Sequence, residues 1–427
     1  MGRFSRVVLL IGIIVFPTFV FAQFNNNTSS PYSRYGLGDL HSYSFGRSVA
    51  MGGATIGSRY NKQINLGNPA SYSSIDSLGF MFDFGMNASR TKSKNDLGSS
   101  SQNDVNFEYF AMNFRVSNRS GAVLGLVPFS DVGYNVVIEE EVANTGTVET
   151  DYYGTGTISK AFLGFAYEPF KFLSIGANLN YTFGMLNRNS EVYFLDGSGY
   201  YQIQQYKNLR LSDFSVDFGI QATIPIKANQ KLILGAVFEN NPTYNARFSD
   251  ITQKNLVVGS SVDQDTLYSV EEGEKGIIEI PVSYGFGISY VKDNKWEINA
   301  DFYHQAWGDA KFFGEKSAFL TDLNKFAVGA EWIPDKFSIR SYVRRVAYRL
   351  GANYEQTYLI FDGHHINKIG ISFGVGLPIY RSNSTINVAA EFGKRGTTDY
   401  NLLLENYARL NVSVNLYDLW FIKRRFD

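Results

Sequence analysis

Histidines, a run of glutamates and a pair of arginines are the side chains here whose types and spacing suit chemistry. His364-His365 would begin a metal site only with further ligands at fixed spacing, and adjacent strand residues point to opposite faces. Glu139-Glu140-Glu141 offers carboxylates to a divalent cation, although a solvated acidic loop is the simpler reading. His41 and His304 have no Ser or Asp at a spacing that would make a nucleophile and its base. With no catalytic constellation, the expectation is a protein that is not an enzyme and has no cofactor or metal. Arg340 and Arg344 are the more useful pair. Four residues apart with Tyr342 between them, they would share one face of a strand, with Ile339 and Val343 on the other. If they point inward they would hold a carboxylate bidentately, or pair with Glu331, Asp301 or Glu297 as an anchor.

Strands must position these groups, because the hydrophobic period from Leu78 onward is two. The cleanest run has Leu173, Ile175, Ala177, Leu179, Tyr181, Phe183 and Met185 on one side and Ser174, Gly176, Asn178, Asn180, Thr182 and Gly184 on the other. A helix would scatter these apolar groups around its circumference. Strand signals give about fourteen segments: near 78–90, 105–117, 121–138, 154–168, 171–187, 207–226, 231–247, 277–291, 295–308, 323–333, 337–349, 366–379, 384–394 and 407–420. Many exceed a typical soluble strand and suit the roughly 9–11 residues of a tilted bilayer crossing. Short connections such as 117–120, 227–230 and 334–336 alternate with long polar ones such as 91–104, 248–276 and 350–365. Outer-membrane barrels sort their turns and loops in this way. Charges including Asp83, Arg115, Asp217, Glu297, Asp301, Glu331 and Glu391 fall on the non-lipid face, so they should line a lumen. The fold expected is an all-β, transmembrane antiparallel barrel.

Composition agrees. The formal net charge is −1, which leaves no basic footprint for nucleic acid. There is no Cys, which excludes disulfides and thiolate metal sites. Arg3 and Arg6, the apolar run Val7 to Phe21 and Val20-Phe21-Ala22 read as a cleaved signal peptide over 1–22. Residues 23–77 are then an N-terminal extension, and 78–427 the barrel. Within the extension, Gly46–Ala54 and Leu66–Ser71 are rich in small residues and end in an Asn-Pro turn. Such a segment suits a plug for an interior, or an arm tucked under a sheet.

One strand carries a defect. Pro128 interrupts the third segment and cannot donate to a ladder, so it implies a local break with a neighbour, or a bulge. Gly133 would supply the flexibility to rejoin it.

The sequences GRSVAMGGA at Gly46–Ala54 and NLGNPASYS at Asn65–Ser73, with the strand count, resemble the outer-membrane long-chain fatty-acid transporter (FadL-like) family in its Bacteroidetes form. The resemblance implies an N-terminal hatch inside the lumen, with Asn68, Pro69 and Ala70 as its motif. It also implies a lateral opening at the kinked third strand, here Pro128, Phe129, Ser130, Asp131 and Gly133. Small hydrophobic molecules would leave there into the lipid. The implied partners are a hydrophobic ligand and the lipid or lipopolysaccharide of the Gram-negative outer membrane. Family members in type IX secretion give the alternative, a binding or structural barrel with a secretion or surface-protein partner. Two departures stand out: the family's pocket residues have no matches one by one, and Trp420-Phe421 is followed by six more residues.

Overall fold

The computed structural model describes residues 27–419 apart from 43, 97, 196–200, 259–260 and 271–272, so the expected leader and the C-terminal tail lie outside the described residues. Fourteen strands form the wall. They are β1 Gly79–Lys94, β2 Ser99–Ser117, β3 Ser120–Val142, β4 Gly146–Phe170, β5 Leu173–Phe194, β6 Gln202–Lys227 and β7 Gln230–Glu239. The second half is β8 Ser283–Lys292, β9 Trp296–Gln305, β10 Leu323–Trp332, β11 Ala347–Phe361, β12 His364–Pro378, β13 Thr385–Arg395 and β14 Leu404–Leu419. Each is antiparallel to the next, and β14 returns to β1 from Gly79–Leu419 to Lys94–Leu404. Joining the last strand to the first removes the outer edges of the sheet, as a barrel in an apolar medium requires, while the β2–β3 ladder covers only part of those two strands.

The faces follow the sequence period. Ile175, Leu179, Tyr181 and Phe183 are exposed outward, while Ser174, Asn178, Asn180 and Thr182 are buried inside. Asp83, Glu297, Glu331 and Glu391 are buried within as well. Outward aromatic pairs sit beside the short turns: Tyr290 with Trp296 and Trp332 with Tyr348.

Three sequence boundaries need correction. What reads as long loops is mostly strand: β4, β5 and β6 run 25, 22 and 26 residues. Beyond the apolar band both faces are polar, so the alternation that marks a strand disappears there. The chain also leaves the wall after β7, where Asn240-Asn241-Pro242 ends the strand. Thr243–Val258 then adds to the outer half of β6, followed by Ser261–Ser269 and Glu274–Glu279, before β8 resumes the barrel past Pro281.

The third correction concerns the arginine pair. The eleventh strand is Ala347–Phe361, not 337–349, and residues 333–346 form a connection at the short-turn end with a 3-10 turn at Val343–Arg345. Alternation permits either choice. The register Glu331–Arg349, with Arg349 Nε 2.7 Å from Glu331 Oε2 inside the lumen, settles it.

Residues 27–77 pack inside the ring as 3-10 turns (Pro31–Arg34, Gly46–Met51, Pro69–Ser74) and a two-residue strand, Asp39–Leu40. The wall makes room by lacking side chains at the contact. A Cβ at Gly219 would overlap Asn68 and Pro69, and one at Gly351 would overlap the backbone of Met51 and Gly52. Only glycine permits that approach.

Candidate functional site

Charge holds the interior segment in place. Arg47 Nη2 lies 2.6 Å from Glu297 Oε2 and its Nε 3.0 Å from Glu331 Oε2. Arg349 completes the cluster on Glu331 and donates from Nη1 to Asn387 Oδ1 at 2.8 Å. Burial alone would lower the Arg47 pKa, but Glu297 and Glu331 outweigh it and hold the guanidinium above its ordinary value. All four side chains are buried, so loss of any one would strand a charge. Asp301 adds a second tie by accepting from the backbone N–H groups of Thr55 and Ile56.

Asn68, Pro69 and Ala70 lie buried against the wall. The Asn68 side chain caps the Pro69–Ser74 turn, accepting from Ala70 N at 3.0 Å. Its Nδ2 donates to Ile56 O at 2.9 Å and reaches the wall carbonyls of Ile220 and Ala236 at 3.3 and 3.4 Å. Asn supplies both an acceptor and two donors, which this position uses.

Among the described residues, the β2–β3 ladder stops at Phe110–Leu126, two residues before Pro128. On the other side β3 stays paired with β4 along its length, and the register shift between Pro128 and Ser130 leaves Phe129 as a bulge. The wall therefore has a seam between β2 and β3 above that point.

The seam is not an open window; the N-terminal arm crosses it from the lumen side. Leu40 pairs with Ser130 and Asp39 with Asp131. His41 N donates to Phe129 O at 2.9 Å, and Gly133 N donates to Ser33 Oγ at 3.0 Å. Asn27 Nδ2 donates to Asp131 Oδ1 at 3.1 Å, while Asn27 O accepts from Asn106 Nδ2 of β2 at 2.6 Å. His41 Nε2 is 2.6 Å from Asp131 Oδ2. Backbone groups exposed by the break need partners, and residues 27–41 supply them.

An apolar cavity of about 130 Å³ adjoins the seam, walled by Leu40, Ile56, Leu66, Phe129, Val237 and Leu323. Beneath Phe129, whose ring is 4.7 Å from Lys160 Nζ, a buried ion pair joins Lys160 to Glu239 at 3.3 Å. Across Leu40, His41 and Ser42 lies a second cavity of about 160 Å³ with mainly polar walls, including Asp104, Lys368 and Arg409. That stretch thus divides an apolar chamber from a polar one.

Arg340 and Arg344 take no part: both are exposed on the 333–346 connection, outside the lumen. The guanidinium groups that do meet Glu297 and Glu331 belong to Arg47 and Arg349. Sequence reasoning missed them, although the isolated Arg47 within GRSVAMGGA was a signal: a lone charge in a small-residue segment demands a buried partner. Leu40 carried no such signal.

The BamG family model matches residues 4–427. The chain belongs to the BamG family. No curated protein sequence matches it. Its fold is similar to that of the Pseudomonas putida toluene transporter TodX, with a TM-score of 0.58 and 18% identity, covering 90% of this chain and 99% of that one. A TodX deltaS2S3 mutant, described as a monoaromatic hydrocarbon channel, aligns with TM-score 0.57 and 16% identity over 88% and 99% of the two chains. A Pseudomonas aeruginosa FadL homologue aligns with TM-score 0.54 and 10% identity over 89% and 98%.

Proposed function

We propose that this chain is an outer-membrane channel for small hydrophobic molecules, with residues 27–77 as its hatch and the β2–β3 seam as a lateral exit. The outward apolar band, the closed ladder and the aromatic pairs beside the short turns favour placement in a bilayer. The observation that carries the reading is the contact between the apolar cavity and the seam through Leu40 and Phe129. A hydrophobe passing that way enters lipid and avoids release into water. Residues 33–41 then act as a latch that opens for cargo.

Cavity size narrows the cargo. About 130 Å³ approaches the roughly 150 Å³ that accommodates benzene in a dry engineered cavity, and is too small for a long acyl chain. Single-ring hydrocarbons fit the latched state, in keeping with the cargo named for TodX.

The chain has no Cys, so a Leu40→Cys/Ser130→Cys pair can lock the latch cleanly. Oxidation should block toluene entry into proteoliposomes, and reduction should restore it. Equal entry in both states would remove the lateral route. A second reading, a docking barrel for a surface or secretion partner, draws on the extra strands 243–279 at the far end. It predicts that deleting them spares hydrocarbon entry and abolishes partner capture.

A further inference from the structure

The 333–346 connection carries an exposed patch whose apolar and cationic groups the channel does not use. Ile339 is 98% exposed and Val343 62%, whereas Phe337 turns to the cavity at the mouth of the lumen beside Tyr60. Arg340 and Arg344 are exposed between and beside them, and Asp335 is the connection's only acid. The loop is nonetheless tied down. Asp335 N donates to Arg344 O at 2.8 Å, and Arg345 stacks over the Tyr342 ring at 5.3 Å.

Its position indicates what covers it. Tyr348 Oη donates to Val343 O at 3.2 Å, and Tyr348 is the outward aromatic that pairs with Trp332. Tyr342 Oη donates to Pro378 O at 3.1 Å, which sets the loop beside the next short turn, where Arg381 lies over Tyr380 at 5.2 Å. The loop therefore continues the outward apolar band at the level of the aromatic girdle, and it adds cations there. Apolar tips with arginines around them match a headgroup region, where the alkyl groups enter lipid and the guanidinium groups meet phosphate.

We propose that residues 339–344, with Arg381, bind the phosphate of an anionic phospholipid in the leaflet at the short-turn end. Ile339 and Val343 enter the acyl region, and Arg340, Arg344 and Arg381 hold the headgroup, guanidinium forks being well matched to phosphate. The inference rests on the membrane placement proposed above.

The test is a spin label at Ile339→Cys, compared with one at Leu350→Cys on the outward face of β11, in vesicles of phosphatidylcholine with or without phosphatidylglycerol. The expected result is a label at 339 that oxygen reaches and a water-soluble nickel chelate does not. Native mass spectrometry should show phosphatidylglycerol retention about fivefold weaker for each of Arg340→Ala, Arg344→Ala and Arg381→Ala. A chelate-accessible 339 beside a lipid-shielded 350 overturns the proposal and leaves the loop in water. If 350 is also open to the chelate, the membrane placement fails and the proposal fails with it. Unchanged retention in the triple arginine variant, with its heat-modifiable mobility intact, overturns the headgroup assignment.

Discussion

Leu40 sits opposite Ser130 in an antiparallel pairing that lends the barrel wall a strand it lacks. The donor is the chain's own N-terminal arm, and the acceptor is the edge of β3 left where the β2 ladder ends. Side chains fasten the arm as well: Arg188 Nε donates to Arg34 O at 2.9 Å, Tyr358 Oη to Tyr35 O at 3.1 Å and Arg395 Nη1 to Asp39 Oδ1 at 2.7 Å.

His41→Pro removes both the N–H given to Phe129 O and the ring that meets Asp131. Loss of hydrogen bonds of this kind costs about 1–3 kcal/mol. The latch equilibrium should move toward the open form by roughly 5–150-fold. Toluene entry into proteoliposomes should rise accordingly, with the barrel's melting temperature unchanged. Slower entry would show that the arm guides cargo instead of blocking it.

Arg47→Ala leaves Glu297 and Glu331 with Arg349 alone in a buried cluster. Breaking such a network costs about 3–5 kcal/mol. The expected outcome is a loosened hatch and raised ion conductance in planar bilayers, while the folded barrel keeps its anomalous mobility on gels. Deleting residues 24–75 should raise conductance further. If the deletion conducts like the parent, residues 27–77 do not plug the pore.

Arg344→Glu and Arg349→Glu differ by five positions and should behave oppositely. Arg344 is exposed outside the lumen, so its reversal should leave conductance and heat resistance untouched. Arg349→Glu sets a third carboxylate beside Glu331 and Glu297 and should lower the unfolding temperature sharply. Equal effects would put β11 in the wrong register.

Gly219→Leu forces a side chain into the space of Asn68 and Pro69. Overpacking of this sort costs about 1–3 kcal/mol. Gly98→Ala, which meets nothing within 4 Å, should stay within about 0.5 kcal/mol of the parent. Chemical denaturation in detergent would measure both, and similar values would place the hatch away from β6.

The legible parts were those that local period determines. Leu173 to Met185 specified β5 and its faces because every second residue repeats one chemistry. Pro128 marked an irregularity because a missing N–H is a property of one residue. The register of β11 was not legible, since Ile339-Arg340 and Leu350-Arg349 alternate equally well. A contact with Glu331 on another strand chooses between them. The arm was hidden for a related reason. Asp39 and Leu40 are two residues long and have no period, so only the vacant edge they meet makes them a strand.

The sixteen-residue ladder between β1 and β14 carries a constraint on assembly. The segment it encloses comes before β1 in the chain, and its contacts reach the last strands: Arg395 Nη1 to Asp39 Oδ1 at 2.7 Å and Ser30 Oγ to Glu405 Oε1 at 2.5 Å. The first residues described must therefore wait for nearly the last ones synthesised. Contacts of such sequence separation form slowly. The interior segment therefore reaches its last contacts only once the closing strands are in place.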